Sequence, residues 1–162
     1  MNLPLRIRGS WNLCCHAESS PSLDVLIRHS NRWHTVDFII PLSFLPKLNT
    51  VNGQISLLES LALNTSYPNV YDGFIINCFE SAPALRALKL HYSSYLRDIR
   101  FPWTQLVDFT TNYIPLSNSL RNATLCINLT SLTLVDWTRF EGMGIMLPFL
   151  HNLQLFADRG SI

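Results

Sequence analysis

Along this chain, apolar residues fall into triplets in which a gap of three is followed by a gap of two. Leu85, Leu88 and Leu90 form one in "SAPALRALKL", and Leu58, Leu61 and Leu63 form another in "LLESLAL". Leu129, Leu132 and Leu134 repeat the spacing in "NLTSLTL", as do Leu150, Leu153 and Leu155 in "FLHNLQL". A gap of three suits a helix and a gap of two suits a strand, so neither regular period covers a whole segment. A backbone that first bends and then straightens satisfies both gaps. The bend turns Leu85 inward, and a very short strand then points Leu88 and Leu90 in while Ala87, Lys89 and His91 point out. Weaker copies are Trp33, Val36 and Phe38, and the pair Leu106 and Phe109. The opening "LPLRI" supplies Leu3, Leu5 and Ile7 as a first strand without the leading leucine.

The middle anchors Val36, Leu61, Leu88, Phe109, Leu132 and Leu153 stand 25, 27, 21, 23 and 21 residues apart. Units of about 20–29 residues carrying LxxLxL mark leucine-rich repeats, in which each coil shelters its neighbour's leucines. The expected fold is therefore an α/β, leucine-rich-repeat-like solenoid. Short parallel strands take one face, and helices or irregular returns take the other. Residues 1–162 are read as a single domain of about six irregular units.

The returns differ from one another. "SSPSLDVLIRHSNRW" places Ser20 as an N-cap and Pro21 at the first helical position, with Leu23, Leu26 and Ile27 as an apolar stripe. "VYDGFIINCFESAP" predicts a helix-like stripe of Phe74, Ile75, Cys78 and Phe79 that closes near Pro83. "PLSNSLRNATLCI" offers Ser117 as a cap, with Leu116, Leu120 and Ala123 facing in. "IPLSFLPKLNTVNGQI", with two prolines and a glycine, reads as an irregular turn.

Composition narrows the function classes. Apolar residues make up 48% and charged residues 14% of the chain, so a packed core is expected rather than disorder. Net charge is +1 without a Lys/Arg run, which argues against nucleic acid as a partner. "FIIPL" and "GIMLPFL" are too short to span a bilayer, and "MNLPLRIRGSW" does not read as a secretory signal, so an intracellular, membrane-free protein is expected. The sequons at Asn64, Asn122 and Asn128 are accordingly read as chance. Cys14 and Cys15 are adjacent, and "CCH" lacks the spacing of a zinc site; Cys78 and Cys126 lie in apolar surroundings and read as small core hydrophobes. No cofactor or metal is expected.

Enzyme readings find no support. GxSxG, P-loop, HExxH and GxGxxG patterns are all missing, and "EGMG" at 141–144 reads as a turn. His29 and His34 flank Trp33 with no carboxylate–nucleophile set beside them, and they read as surface or helix-end histidines. Trp33, Trp103 and Trp137 are expected to pack in or over the core.

The order of the motifs carries a resemblance. "LIRHSNRWHTVDF", "LPKLNTVNGQISLLESLAL", "FESAPALRALKL", "FPWTQL" and "INLTSLTL" follow one another as in the leucine-rich-repeat region of fungal F-box proteins, over nearly the whole chain. The resemblance implies a substrate-recognition module of a ubiquitin-ligase adaptor, whose repeats select the protein to be ubiquitylated. An F-box itself is expected to be missing, because Met1 lies directly before the first strand. The ligase's scaffold adaptor would then be contacted only through an F-box supplied from elsewhere. The alternative is a stand-alone repeat scaffold or a truncated fragment with no ligase role.

A protein partner is expected on the outward strand residues. The alternation places Arg6, Arg8, Asp37, Asn64, Lys89, His91, Asp108, Thr133 and Gln154 on that face. Arg6 with Arg8, and Lys89 with His91, are the first candidates for contact, because long cationic groups reach acidic partners.

Overall fold

In the computed structural model, which describes residues 3–11, 20–66, 75–91, 99–114, 116–135 and 146–156, the leading residue of each triplet closes a tight turn. Its N–H donates to the carbonyl three residues back: Trp33 to Ser30, Leu58 to Ile55, Leu85 to Ala82, Leu106 to Trp103, Leu129 to Cys126 and Leu150 to Leu147. The bend turns Trp33, Leu58, Leu85, Leu106 and Leu129 into the core, each no more than 1% exposed. A strand follows two residues after each of the five leucines, which accounts for the shift from a gap of three to a gap of two.

The strands are β1 (Leu5–Ser10), β2 (Trp33–Pro41), β3 (Ser60–Ser66), β4 (Ala87–His91), β5 (Asp108–Asn112), β6 (Ser131–Val135) and β7 (Asn152–Phe156). They form a single seven-stranded sheet in chain order, and every neighbouring pair is parallel. Val36, Leu61, Leu88, Phe109, Leu132 and Leu153 are register partners in succession, with Ile7 opposite Val36 at the first edge. A second inward row holds Phe38, Leu63, Leu90, Thr111, Leu134 and Leu155. Thr111 tolerates its buried place because its hydroxyl donates to that of buried Ser119 at 3.1 Å. Leu3 lies outside β1 and is exposed.

One backbone device links the entry of each strand from β3 to β6 to the entry of the next. The Glu59 carbonyl accepts from both Arg86 and Ala87, and the Arg86 carbonyl from Val107 and Asp108. Val107 then accepts from Thr130 and Ser131, and Thr130 from His151 and Asn152, all at 2.8–3.1 Å. Side-chain amides add lateral ties between returns. Gln105 Nε2 donates to the Ala82 and Leu85 carbonyls at 2.7 and 2.9 Å, and Asn128 Nδ2 to that of Thr104 at 2.8 Å. Gln105→Leu is expected to lower stability by about 1 kcal/mol, since the Ala82 and Leu85 carbonyls each lose one of two donors and keep Leu85 N–H and Arg86 Nη1 respectively. Urea unfolding would show this as a lower midpoint with an unchanged slope.

Helix α1 (Pro21–Arg28) begins as the sequence predicts: Leu23 N–H donates to Ser20 Oγ at 3.4 Å, Pro21 opens the helix, and Leu23 is fully buried. Three other return expectations need correction. The 42–51 stretch is not irregular but three helical turns in a row, Leu42–Phe44, α2 (Leu45–Leu48) and Asn49–Val51. Pro46 sits in the first turn of α2, where its missing N–H costs nothing, and Leu45, Leu48 and Val51 at three-residue steps are all buried. Gly53 ends the run with φ +76°, a conformation that favours glycine.

The 75–82 stretch is not helical. Ile76 bridges Ile99, and the Ile75 and Ile76 carbonyls accept from Asn49 Nδ2 and Arg100 N–H, so neighbouring units claim groups that a helix would need. Ile75 is exposed, whereas Ile76, Cys78 and Phe79 are buried; Phe74 lies outside the described residues. Ser117 is not a cap, because α3 (Leu116–Leu125) already contains it; Ala123 is buried as expected, and Leu120 is half-buried. Trp33 is buried and Trp103 half-buried, while Trp137, Cys14, Cys15 and 141–144 lie outside the described residues.

Candidate functional site

Parallel strands in register line up their outward side chains as well as their inward ones, about 4.8 Å apart from strand to strand. Three outward rows result. The first runs Arg6, Thr35, Ser60, Ala87, Asp108, Ser131 and Asn152. The second runs Arg8, Asp37, Ala62, Lys89, Thr110, Thr133 and Gln154. The third runs Ser10, Ile39, Asn64, His91, Asn112, Val135 and Phe156. All nine residues expected on the outward face therefore occupy it. Arg8, Asp37, Lys89, Thr133 and Gln154 share one row, Arg6 and Asp108 another, and Asn64 and His91 the third.

Charge concentrates toward β1–β5. Arg8 Nε meets Asp37 Oδ2 at 3.1 Å, with side chains 84% and 39% exposed, so the pair orients both groups and adds little stability. Lys89 and Asp108 are exposed on adjacent strands. Partial burial holds the Asp108 carboxyl above its ordinary value. His91 is held below its ordinary value, chiefly by burial and then by the Lys89 charge, against a smaller opposing pull from Asp37. Asn112 Nδ2 lies 2.8 Å from His91 Nδ1, a geometry that uses the unprotonated ring nitrogen as acceptor. Among the described residues, Asn112 Oδ1 is buried without a hydrogen-bond partner.

Small residues occupy the middle of the face, with Ser60 and Ala62 on β3 and Ala87 on β4. Toward β6 and β7 the face becomes neutral: Ser131, Thr133, Asn152 and Gln154 present uncharged groups able to donate and accept hydrogen bonds, and Phe156 is exposed. Sequence reasoning missed Asn112 as the partner of His91. The signal was present, since Asn112 follows Thr110 by the same two-residue step that relates Lys89 to His91. It also missed that Ile39 and Val135 put apolar side chains on the third row.

The face has hydrogen-bonding groups and charge. His34 Nε2 pairs with Glu59 Oε2 at 3.2 Å, and its Nδ1 lies 3.3 Å from the hydroxyl of the adjacent Thr35, so a carboxylate and a hydroxyl do flank this histidine, contrary to the sequence expectation. No group of three His, Cys, Asp or Glu is placed to hold a metal among the described residues, and no helix there is long and apolar enough to cross a membrane. Compared with models of protein families, with curated proteins and with solved structures, the chain matches none.

Proposed function

We propose that the chain is a leucine-rich-repeat-like solenoid that binds a protein partner on its outward strand face and carries out no catalysis itself. The observation that carries the reading is the shared register of the seven strands, which lines Arg8, Asp37, Lys89, Thr133 and Gln154 along one row. Support for a coil repeated along the chain comes from the recurring turn before each anchor and from the forked carbonyl acceptors at Glu59, Arg86, Val107 and Thr130. A surface of this kind suits another polypeptide: broad, polar, charged at one end and neutral at the other.

By resemblance to the repeats of F-box proteins, the bound protein would be a ubiquitylation substrate. The stand-alone scaffold is the second reading. Two substitutions on the strand face, Ala62→Arg and Thr133→Arg, fill its second row without touching the inward leucines. Proteins captured by the wild-type chain and by a Ser56→Arg control, but lost by both face variants, would support the face as the binding site. An unchanged set in all four would refute it. Joined to an F-box, the chain is expected to raise ubiquitylation of a face-dependent partner, and Ala62→Arg is expected to abolish the gain. Binding without ubiquitylation would leave the scaffold reading.

A further inference from the structure

The segments between strands build a concavity of about 600 Å3, to which none of the seven strands contributes a lining residue. Glu80 comes from the return before β4, Arg100, Phe101 and Trp103 from the return before β5, and the rest chiefly from α3, before β6. On α3 the lining positions are Asn118, Arg121, Asn122 and Leu125, spaced so that they share one helix face. Ser119, Ala123 and Cys126 turn the other way into the core.

The polar groups of this face are uncommitted. Among the described residues, the Arg121 guanidinium has no ion-pair partner, and neither the Asn118 nor the Asn122 side-chain amide has a hydrogen-bond partner. Across the concavity, Arg100 Nη1 reaches Glu80 Oε1 only at 4.0 Å, with both side chains more than half exposed. Two guanidiniums thus face one carboxylate. The opposite wall is apolar: Phe101 is 4% exposed and packs edge-on against Trp103 at 5.3 Å between ring centres.

The geometry points to a binding site for a small organic anion with a flat apolar body, an aryl or nucleoside phosphate or carboxylate. Guanidinium forks match the oxygens of phosphate and carboxylate, and the asparagine amides can serve a polar ring edge. The aromatic wall takes the apolar body. The volume falls within the range of small-molecule sites, about 300–1,000 Å3. A cation would meet two like charges, and an anion without an apolar body would leave the aromatic wall wet. This site is separate from the partner face and does not depend on it.

The test is an amide- and indole-resolved NMR titration with 1-naphthyl phosphate, adenosine monophosphate, inorganic phosphate and neutral 1-naphthol. The signal to follow is the Trp103 indole N–H, assigned with Trp103→Phe. 1-Naphthyl phosphate or the nucleotide is expected to bind saturably at about 1 mM or below. Either is expected to bind at least about tenfold tighter than inorganic phosphate or 1-naphthol, and the tighter of the two identifies the ligand source. Arg121→Gln is expected to weaken binding about tenfold with the rest of the spectrum unchanged. Glu80→Gln, which frees Arg100, is expected to tighten it. No saturable shift, equal binding by 1-naphthol, or wild-type affinity in Arg121→Gln would overturn the assignment.

Discussion

Truncating Leu88 to alanine is expected to lower stability by about 3 kcal/mol, and the same truncation at Leu153 by less than about 1 kcal/mol. Both leucines belong to one register row and follow the same sequence motif. They differ in what lies on either side. Leu88 is 2% exposed, with Leu61 and Phe109 as its neighbours, so removing its methyl groups opens a cavity inside packed rows. Leu153 is 53% exposed on the last strand of the sheet, and much of its surface already meets water. Against a typical domain stability of about 5–15 kcal/mol, the first change removes a large share and the second a small one. Urea unfolding of both variants beside the wild-type chain measures the contrast. Equal losses would mean that Leu153 is as well covered as Leu88, and the gradient of burial along the row would be wrong.

The rows were legible because strand alternation is a two-residue rule that needs no knowledge of the neighbours. Once Leu61, Leu88 and Leu132 were taken as inward, Lys89 and Thr133 had to face outward, and the register partners followed from repetition. The cap of α1 was legible for a similar reason, since Ser20 and Pro21 act within one turn. The other returns were not, because their backbone depends on groups far away in sequence. The 75–82 stretch has a helical apolar pattern, yet Asn49 and Arg100 occupy its carbonyls from either side. Pro41 and Pro46 suggested a break around 42–51, but Leu45, Leu48 and Val51 recur every three residues, and burial favours the tight helical turns they need. The concavity between Arg100 and α3 was invisible for the same reason: its walls come from three returns of unequal length. On the strand face, sequence placed the residues but not their pairings, so the Arg8–Asp37 ion pair and the His91–Asn112 contact emerged only with the coordinates.

Raising the pH from about 9 toward 12 is expected to destabilise the protein through two buried thiols. Cys78 is fully buried and Cys126 is 3% exposed. Burial pushes each thiol from 9.0 up to about 12, a rise opposed at Cys78 by backbone hydrogen bonds from Cys78 and Phe79. The Cys126 thiol donates to the Asn122 carbonyl at 3.4 Å, which further favours the protonated form. Below pH 9 folded and unfolded chains both keep these protons, and the stability contribution is fully present. Between 9 and 12 the unfolded chain releases them while the folded chain does not, so stability falls as pH rises. The slope is about 1.4 kcal/mol per pH unit for each thiol. Denaturant unfolding of the wild type and of a Cys78→Ala/Cys126→Ala double variant, at several pH values between 8 and about 10.5, separates this effect from tyrosine and lysine titration. The double variant starts less stable, because two small cavities open, but its decline with pH is expected to be shallower. Parallel declines would assign the alkaline loss to other groups and would mean that the Cys78 and Cys126 thiols reach water in the folded chain.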